Sequence, residues 1–435
     1  MKVQKNFYVP EHHNLSAVLH TAAVCAGMLA AVVCISCRSE FSNPVIIWTS
    51  QSNFAPYTEV FNASQDKVKA VVVYKENPAA LLPVDKNEPP PDIIIGTSLR
   101  TEKAIKNFRS LNYLLSSQEI NKNIFYPQLL AACKRKGYTY LLPVSFNLPA
   151  VIFSSDNANL ISDNYMLSMD QIRTLASSYN QKNAGNVYTQ MGFAPQWNKD
   201  FLYLAAELSG ADFHEKGATL VWNKEALDSA ITFLRTWTSD ANTSPSDEQD
   251  FSFKYLYTPS YKQVLSGRCL FSYITSDNLF SLTAEQLNKI DFRWIHKDNK
   301  IPLSEAMMTL GIYKKAKNKK GAEKFIAWFF TEAAQKSLIE HSQKMKLTTM
   351  TFGIAGGFSS LKGVNERVFP TYYNPLLANV PVATYIQPLS VQPLRWDSIK
   401  ARVILPYLTD AVNAGTTANI KTIEDRLVDW SKQYY

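Results

Sequence analysis

The chain has 435 residues, 46% of them apolar and 12% aromatic, and a formal charge of +8 at neutral pH. A single hydrophobic core rarely grows past ~250–300 residues, so two domains are expected, and the composition excludes disordered and repeat classes. Six His and five Cys argue against a metal-rich chain, and the densest basic run, Lys314 to Lys324, lacks interleaved aromatics and reads as a solvated loop and helix start, not a nucleic-acid face.

At the N-terminus, Lys2 and Lys5 precede a stretch from Leu15 to Ser36 that is free of Lys, Arg, Asp and Glu, and Cys34-Ile35-Ser36-Cys37 follows just ahead of Arg38. That order is the grammar of an export signal. The small Ser36 before Cys37 resembles a lipoprotein signal, which implies a signal peptide over 1–36, a lipidated Cys37 as first mature residue and a linker over 37–44. Cys34 departs from the usual leucine three positions before the modified cysteine. The apolar run, at about 20 residues, is also long enough to span a bilayer uncleaved. Under either reading the globular body is expected outside the cytoplasm, held at a membrane surface.

Val45 to Trp48 are β-branched or aromatic, as expected of a strand buried on both faces of a parallel sheet. Thr49 to Asn53 then supply hydroxyls and amides. Pro56 suits a first helical turn, and Tyr57, Val60 and Phe61 follow with helical spacing. Loops at the carboxyl ends of parallel strands are where open α/β folds bind ligands, which makes Ser50, Gln51 and Ser52 candidates. The alternative is an ordinary βα turn facing water.

This stretch resembles the first strand and helix of the extracellular solute-binding proteins of ABC importers (family 1), close in layout to the maltose- and oligosaccharide-binding proteins. The resemblance extends from about Val45 to Tyr435 and adds Trp48 to the ligand-binding candidates. It implies an α/β, two-lobed, periplasmic-binding-protein-like (type II) fold with a hinge of crossing segments. One lobe would comprise 45–145 plus 309–346 and the other 146–308 plus 347–435.

Lys67 to Tyr74 and Asp92 to Gly96 read as the second and third strands, joined by an exposed connection carrying Pro78, Pro83 and Pro89 to Pro91. The loop after the third strand holds Ser98 and Arg100; by resemblance it contributes ligand contacts, with a helix-start surface charge as the alternative for Arg100. Gly137 to Phe153 has strand character around Pro143 and Pro149 and resembles the first crossing between lobes. There the resemblance makes Phe146 and Asn147 ligand contacts, against a core Phe and a satisfied turn Asn.

Met169 to Ser177 is helical, and Trp197 stands just ahead of an apolar helix, where the family presents an aromatic to a pyranose ring; core packing is the competing reading. Arg268 to Ile274 is strand-like. The family then brings a glycine and an aromatic to the ligand, whereas this chain has Tyr273, Ile274, Thr275 and Ser276, so Tyr273 and Thr275 are the candidates and inherited sugar specificity is in question. Ala306 to Leu347 supplies the second crossing followed by one strongly amphipathic helix. The third crossing is expected near Lys346 to Phe352. Gly353, Gly356 and Gly357 lack the order that wraps a triphosphate. Trp396, preceded by prolines and followed by a long helix, best matches the family's cleft aromatic.

Cys133 and Cys269 fall in different expected lobes, where a bridge would oppose hinge motion, so both are expected to be free thiols. Ser64-Gln65-Asp66-Lys67 and Ser276-Asp277-Asn278 fit two elements of a penicillin-recognising hydrolase. The third, KTG, is missing, and Ser64 ends a helix instead of beginning one. No catalytic triad or zinc signature appears in the sequence. The expected protein is therefore a monomeric lipid-anchored receptor without enzymatic activity, cofactor, metal or nucleic-acid partner. It would carry a small solute, a carbohydrate by its aromatics and neutral hydrogen bonders, to an ABC permease driven by a separate ATPase. A surface receptor or adhesin on the same scaffold, without transport, is the alternative.

Overall fold

The structure, a computed structural model, describes residues 43–433 apart from 118, 162, 218, 306, 346–350 and 415–418. The expected export signal and Cys37 lie outside the described residues. Among the described residues no helix is long and apolar enough to cross a membrane.

From Val45 onward the chain forms one compact α/β unit whose two larger sheets, of six and four strands, mark its two halves. The first begins with β1 (Val45–Thr49), α1 (Phe54–Ser64), β2 (Ala70–Tyr74) and β3 (Ile93–Gly96). β1 pairs in parallel with both β2 and β3, Ile47 lying opposite Val72 and Ile93. A central parallel strand has both faces covered, which explains why Val45, Ile47 and Trp48 are all buried. Asp92 ties the strand start to a later segment: its carboxylate accepts from the backbone N–H of Ile46 at 3.0 Å and of Asn318 at 2.7 Å.

β4 (Leu142–Phe146) belongs to the same sheet, and β5 (Pro149–Ser154) opens the second one. The turn between them is the first crossing. The second sheet then gains β6 (Met166–Ser168), β7 (Ser272–Thr275) and β8 (Ile290–His296), ordered β7-β5-β8-β6. Helices α2 (Met169–Tyr179), α3 (Lys199–Ser209) and α4 (Lys224–Ala241) belong to this half, and α3 packs against α4. The chain then returns to the first sheet with β9 (Met308–Ile312), antiparallel to both β3 and β4.

The single amphipathic helix expected after β9 is two helices, α5 (Lys319–Phe329) and α6 (Glu332–Lys344). Thr331 divides them because its side chain accepts from the Ala334 N–H at 3.1 Å, a cap that competes with helix continuation. The expected third crossing falls partly on residues outside the described set. Beyond it the chain is still on the first sheet: β10 (Phe358–Ser359) pairs antiparallel with β4, placing Phe358 opposite Phe146. The edge of β4 needs a partner for its backbone groups, and this segment supplies it. The sheet order is thus β10-β4-β9-β3-β1-β2. The passage to the other half follows β10, beyond the expected boundary at 347, since Tyr373 packs with Phe280 and the Trp294 indole donates to the Asn379 carbonyl.

Glycines at 353–357 form a tight turn, not a phosphate loop. Gly356 has φ +80°, and a Cβ on Gly357 would lie 2.6 Å from the Phe146 carbonyl oxygen. Further on, the long helix after Trp396 begins as α7 (Trp396–Ile399), widens into a π-turn over Lys400–Ile404 and continues as α8 (Leu405–Asn413). Pro406 lacks an N–H to bond back along the helix, which accounts for a widened turn at this place. Cys133 and Cys269 are buried free thiols, each pushed up to about 12 by burial and therefore unreactive as thiolates.

Candidate functional site

The carboxyl ends of β1, β2 and β3 lie side by side because the three strands are parallel, and their loops form one wall of a cavity of about 300 Å³. Ser50 and Gln51 come from the first loop, Glu76 and Asn77 from the second, and Thr97, Ser98 and Arg100 from the third. The facing wall is made by Gln392, Pro393, Trp396 and Asp397, with Glu305 from the second crossing. Residues far apart in sequence therefore meet across the cleft. A hydrogen bond closes one side: the Glu102 N–H donates to Glu215 Oε1 at 2.5 Å, and the Glu215 N–H to the Val391 carbonyl at 2.7 Å.

Adjoining it is a cavity of about 230 Å³ that shares Glu305 and Asp397 with the first and is lined by Asn147, Tyr203, Glu207, Tyr273, Thr275 and Lys400. Lys400 is the organising group. Its ammonium bridges Glu305 and Asp200, the latter at 2.8 Å, and lies 4.4 Å from the centre of the Tyr203 ring. Burial acts to lower the Lys400 pKa, but the two carboxylates outweigh it and the net direction is up. A larger cavity of about 580 Å³ lies elsewhere, walled by Phe280, Leu282, Leu287 and Tyr372, and gathers none of the predicted residues.

Of the predicted residues, Ser50, Gln51, Ser98, Arg100 and Trp396 line the first cavity, and Asn147, Tyr273 and Thr275 the second. Trp396 is 4% exposed, packed against Tyr203 and Phe213 at centroid distances of 5.8 and 6.0 Å, and its indole N–H has no partner among the described residues. It therefore presents an edge to the cavity instead of a free face. Asn147 is held at the hinge: its amide donates to the Gly356 carbonyl at 2.8 Å, and its oxygen accepts from the Ser276 hydroxyl at 2.7 Å. The serine of the Ser-Asp-Asn triplet is thus a hinge brace.

Four predicted residues are not brought to the cleft. Trp48 is buried in β1 with the Lys75 ammonium 4.6 Å from its ring. Phe146 is 1% exposed between Tyr126 and Phe358, on the core side of the crossing. Ser52 is exposed at the start of α1. Trp197 stacks on Phe251 at 5.4 Å and donates to the Glu248 carbonyl at 3.1 Å, beside a separate cavity of about 150 Å³. An aromatic has the same sequence signature whether it fills a core or a cleft.

Sequence reasoning missed Glu76, Asn77, Gln392, Glu305, Lys400 and Glu207. Asn77 had a signal, since it follows the carboxyl end of a third parallel strand. The others are polar residues whose neighbours come from distant segments.

Two carboxyls are perturbed by burial. Glu207, next to Tyr203 and bonded by the Phe213 N–H, is pushed up to about 7, and so is the fully buried Glu248, whose Oε1 accepts from Asn242 at 2.8 Å. Both folded values lie above the ordinary carboxylate value of 4.5, so each contribution to stability is complete below that value and is lost as pH rises toward 7. Melting temperature should accordingly fall between about pH 5 and pH 8 in wild type, and Glu248→Gln, which fixes the neutral form, should remove part of that fall, on the order of 1–3 kcal/mol. Identical pH profiles for the two proteins would refute the assignment at Glu248.

Comparison with known proteins bears on the whole body. A family model described as bacterial extracellular solute-binding protein matches residues 49–336. No curated protein matches the sequence significantly. Among solved structures, the sugar-binding protein MalE from the phytopathogen Xanthomonas citri superposes with a TM-score of 0.64 at 11% identity, over 90% of this chain and 96% of that one. The cyclic α-maltosyl-1,6-maltose binding protein from Arthrobacter globiformis gives 0.57 at 15% identity, over 90% of this chain and 98% of its own. The maltose-maltodextrin binding protein of Alicyclobacillus acidocaldarius gives 0.53 at 15%, over 90% and 99%.

Proposed function

Because the chain belongs to the family of bacterial extracellular solute-binding proteins, we propose that it captures a small carbohydrate between its two lobes and delivers it to an ABC permease. The observation that carries this reading is the cavity itself, where Ser50, Gln51, Asn77 and Ser98 face Gln392 and Trp396 from the opposite wall. Hydroxyls and amides beside an indole edge suit the alternating polar and C–H surface of a sugar. Proteins of this fold have been solved with mannotriose and with maltose.

The mechanism is closure. A ligand touching both walls binds the closed form better than the open one and shifts the population by that difference alone. The permease reads the juxtaposed lobe surfaces, and a separate ATPase supplies the energy. The protein acts as a monomer, tethered outside the cytoplasmic membrane by lipid on Cys37, and performs no catalysis.

A thermal-shift screen against saccharides, amino acids, polyamines and metal ions tests the reading. A cognate saccharide at 100 times its Kd stabilises the folded state by about 2.7 kcal/mol and raises Tm accordingly. A shift with a non-sugar alone overturns the carbohydrate assignment.

A further inference from the structure

Arg100 is an anomaly. It is 8% exposed, its Nε has no partner, and among the described residues its guanidinium makes no hydrogen bond or ion pair. The group acting on its charge is the Cys133 thiol, which burial keeps neutral by pushing its pKa up to about 12. A buried guanidinium without an anion is strongly disfavoured, so the folded protein carries an uncompensated positive charge at the floor of the cavity. The carboxylates Glu76 and Asp397 on the same cavity are exposed at its rim, where solvent screens them, and Glu305 is committed to Lys400. Two further buried donors on the facing wall, Gln392 Nε2 and Trp396 Nε1, also lack partners. Among the described residues these three buried donors therefore lack acceptors, and Arg100 lacks a paired carboxylate.

We propose that the solute is an acidic saccharide whose carboxylate, that of a uronic acid, docks on Arg100. The assignment rests on the carbohydrate reading above and narrows it to a charged sugar. A planar guanidinium fork matches a carboxylate in two parallel hydrogen bonds, and such charge-assisted pairs strengthen when desolvated. Ligand binding thereby supplies the missing counter-charge.

The test is titration calorimetry with glucuronate and galacturonate, as mono- and disaccharides, each beside its methyl ester, the matching neutral sugar and the corresponding sugar 6-phosphate. Esterification removes the charge and keeps the ring. The acid is expected to bind wild type at least about tenfold more tightly than its ester, the scale of one charge-assisted hydrogen bond. Arg100→Met should bring acid and ester to parity. Its own melting temperature, measured without ligand, should not drop, because an aliphatic chain replaces an unpaired buried charge. If the variant does not fold, the acid-to-ester ratio in wild type decides alone. Equal affinity for acid and ester in wild type, or an acid preference that survives in Arg100→Met, overturns the proposal while leaving carbohydrate capture intact. Tighter binding of the 6-phosphate overturns the carboxylate assignment, and failure of every saccharide overturns both readings.

Discussion

Trp396→Ala is expected to destabilise the unliganded protein by about 3–5 kcal/mol, the range for truncating a large aromatic in a packed site, and to abolish the ligand-induced rise in Tm. The two effects have separate origins. The indole is 4% exposed and packed against Tyr203 and Phe213, so alanine leaves a void that these rigid aromatic neighbours fill poorly. The unpartnered N–H borders the cavity, so the same substitution also removes a donor from the binding wall. Trp396→Phe separates them: it keeps most of the packing and loses the donor. Chemical denaturation should show a far smaller stability change for phenylalanine than for alanine, while affinity should drop by about 1 kcal/mol, roughly fivefold. Undiminished affinity in Trp396→Phe would remove the indole N–H from the binding wall.

Lys400→Met is expected to cost on the order of 2–4 kcal/mol, because it strands Glu305 in a largely buried position; the Lys400 and Glu305 side chains are 15% and 17% exposed. Asp200 is 53% exposed and tolerates the loss through solvation, which places the effect below that of a fully buried triad. Combining Lys400→Met with Glu305→Gln should recover much of the loss, since the uncompensated carboxylate is gone. Denaturant melts of the two single variants and the double variant measure the coupling directly, and strict additivity would show that the pair carries no interaction energy. The raised Lys400 pKa makes its contribution complete below the ordinary lysine value of 10.5, and it is lost only as pH rises through the higher folded value. Near neutral pH the Lys400 ammonium therefore stays charged, whereas the buried Glu207 and Glu248 weaken the fold as pH approaches 7.

The parts of the site that were legible are those set by local pattern. β1 and β3 announce themselves as short apolar runs, and parallel pairing puts their carboxyl-end loops together, so Ser50, Gln51 and Ser98 could be found from position alone. Trp396 lines the same cavity, and its expected place there came from the resemblance carried by its flanking prolines and following helix. Trp48, Phe146 and Trp197, expected at the cleft from the resemblance, lie in the core or away from the cavity, because a resemblance at the level of layout does not say which face of a strand or turn meets the core. The helical run after β9 was read as one element because amphipathic spacing continues through Thr331, whereas the side-chain cap that divides it depends on local geometry.

What the sequence determined by itself is the strand and helix character of segments such as β1, α1 and β3 and the loops that follow them, since these depend on hydrophobic period and on the short range of turn chemistry; the class of fold came through the resemblance that these segments carry. What only the tertiary structure decided is the electrostatics of that cleft. At the sequence level Arg100 is as well suited to a solvated helix start as to a cavity floor, and its isolation arises because, among the described residues, the chain packs around it without an ion pair to any carboxylate. Lys400 meets Glu305 and Asp200 across separations of 95 and 200 residues in the chain only after both crossings are made. Charge and desolvation depend on distances through space, and no periodicity along the chain encodes them.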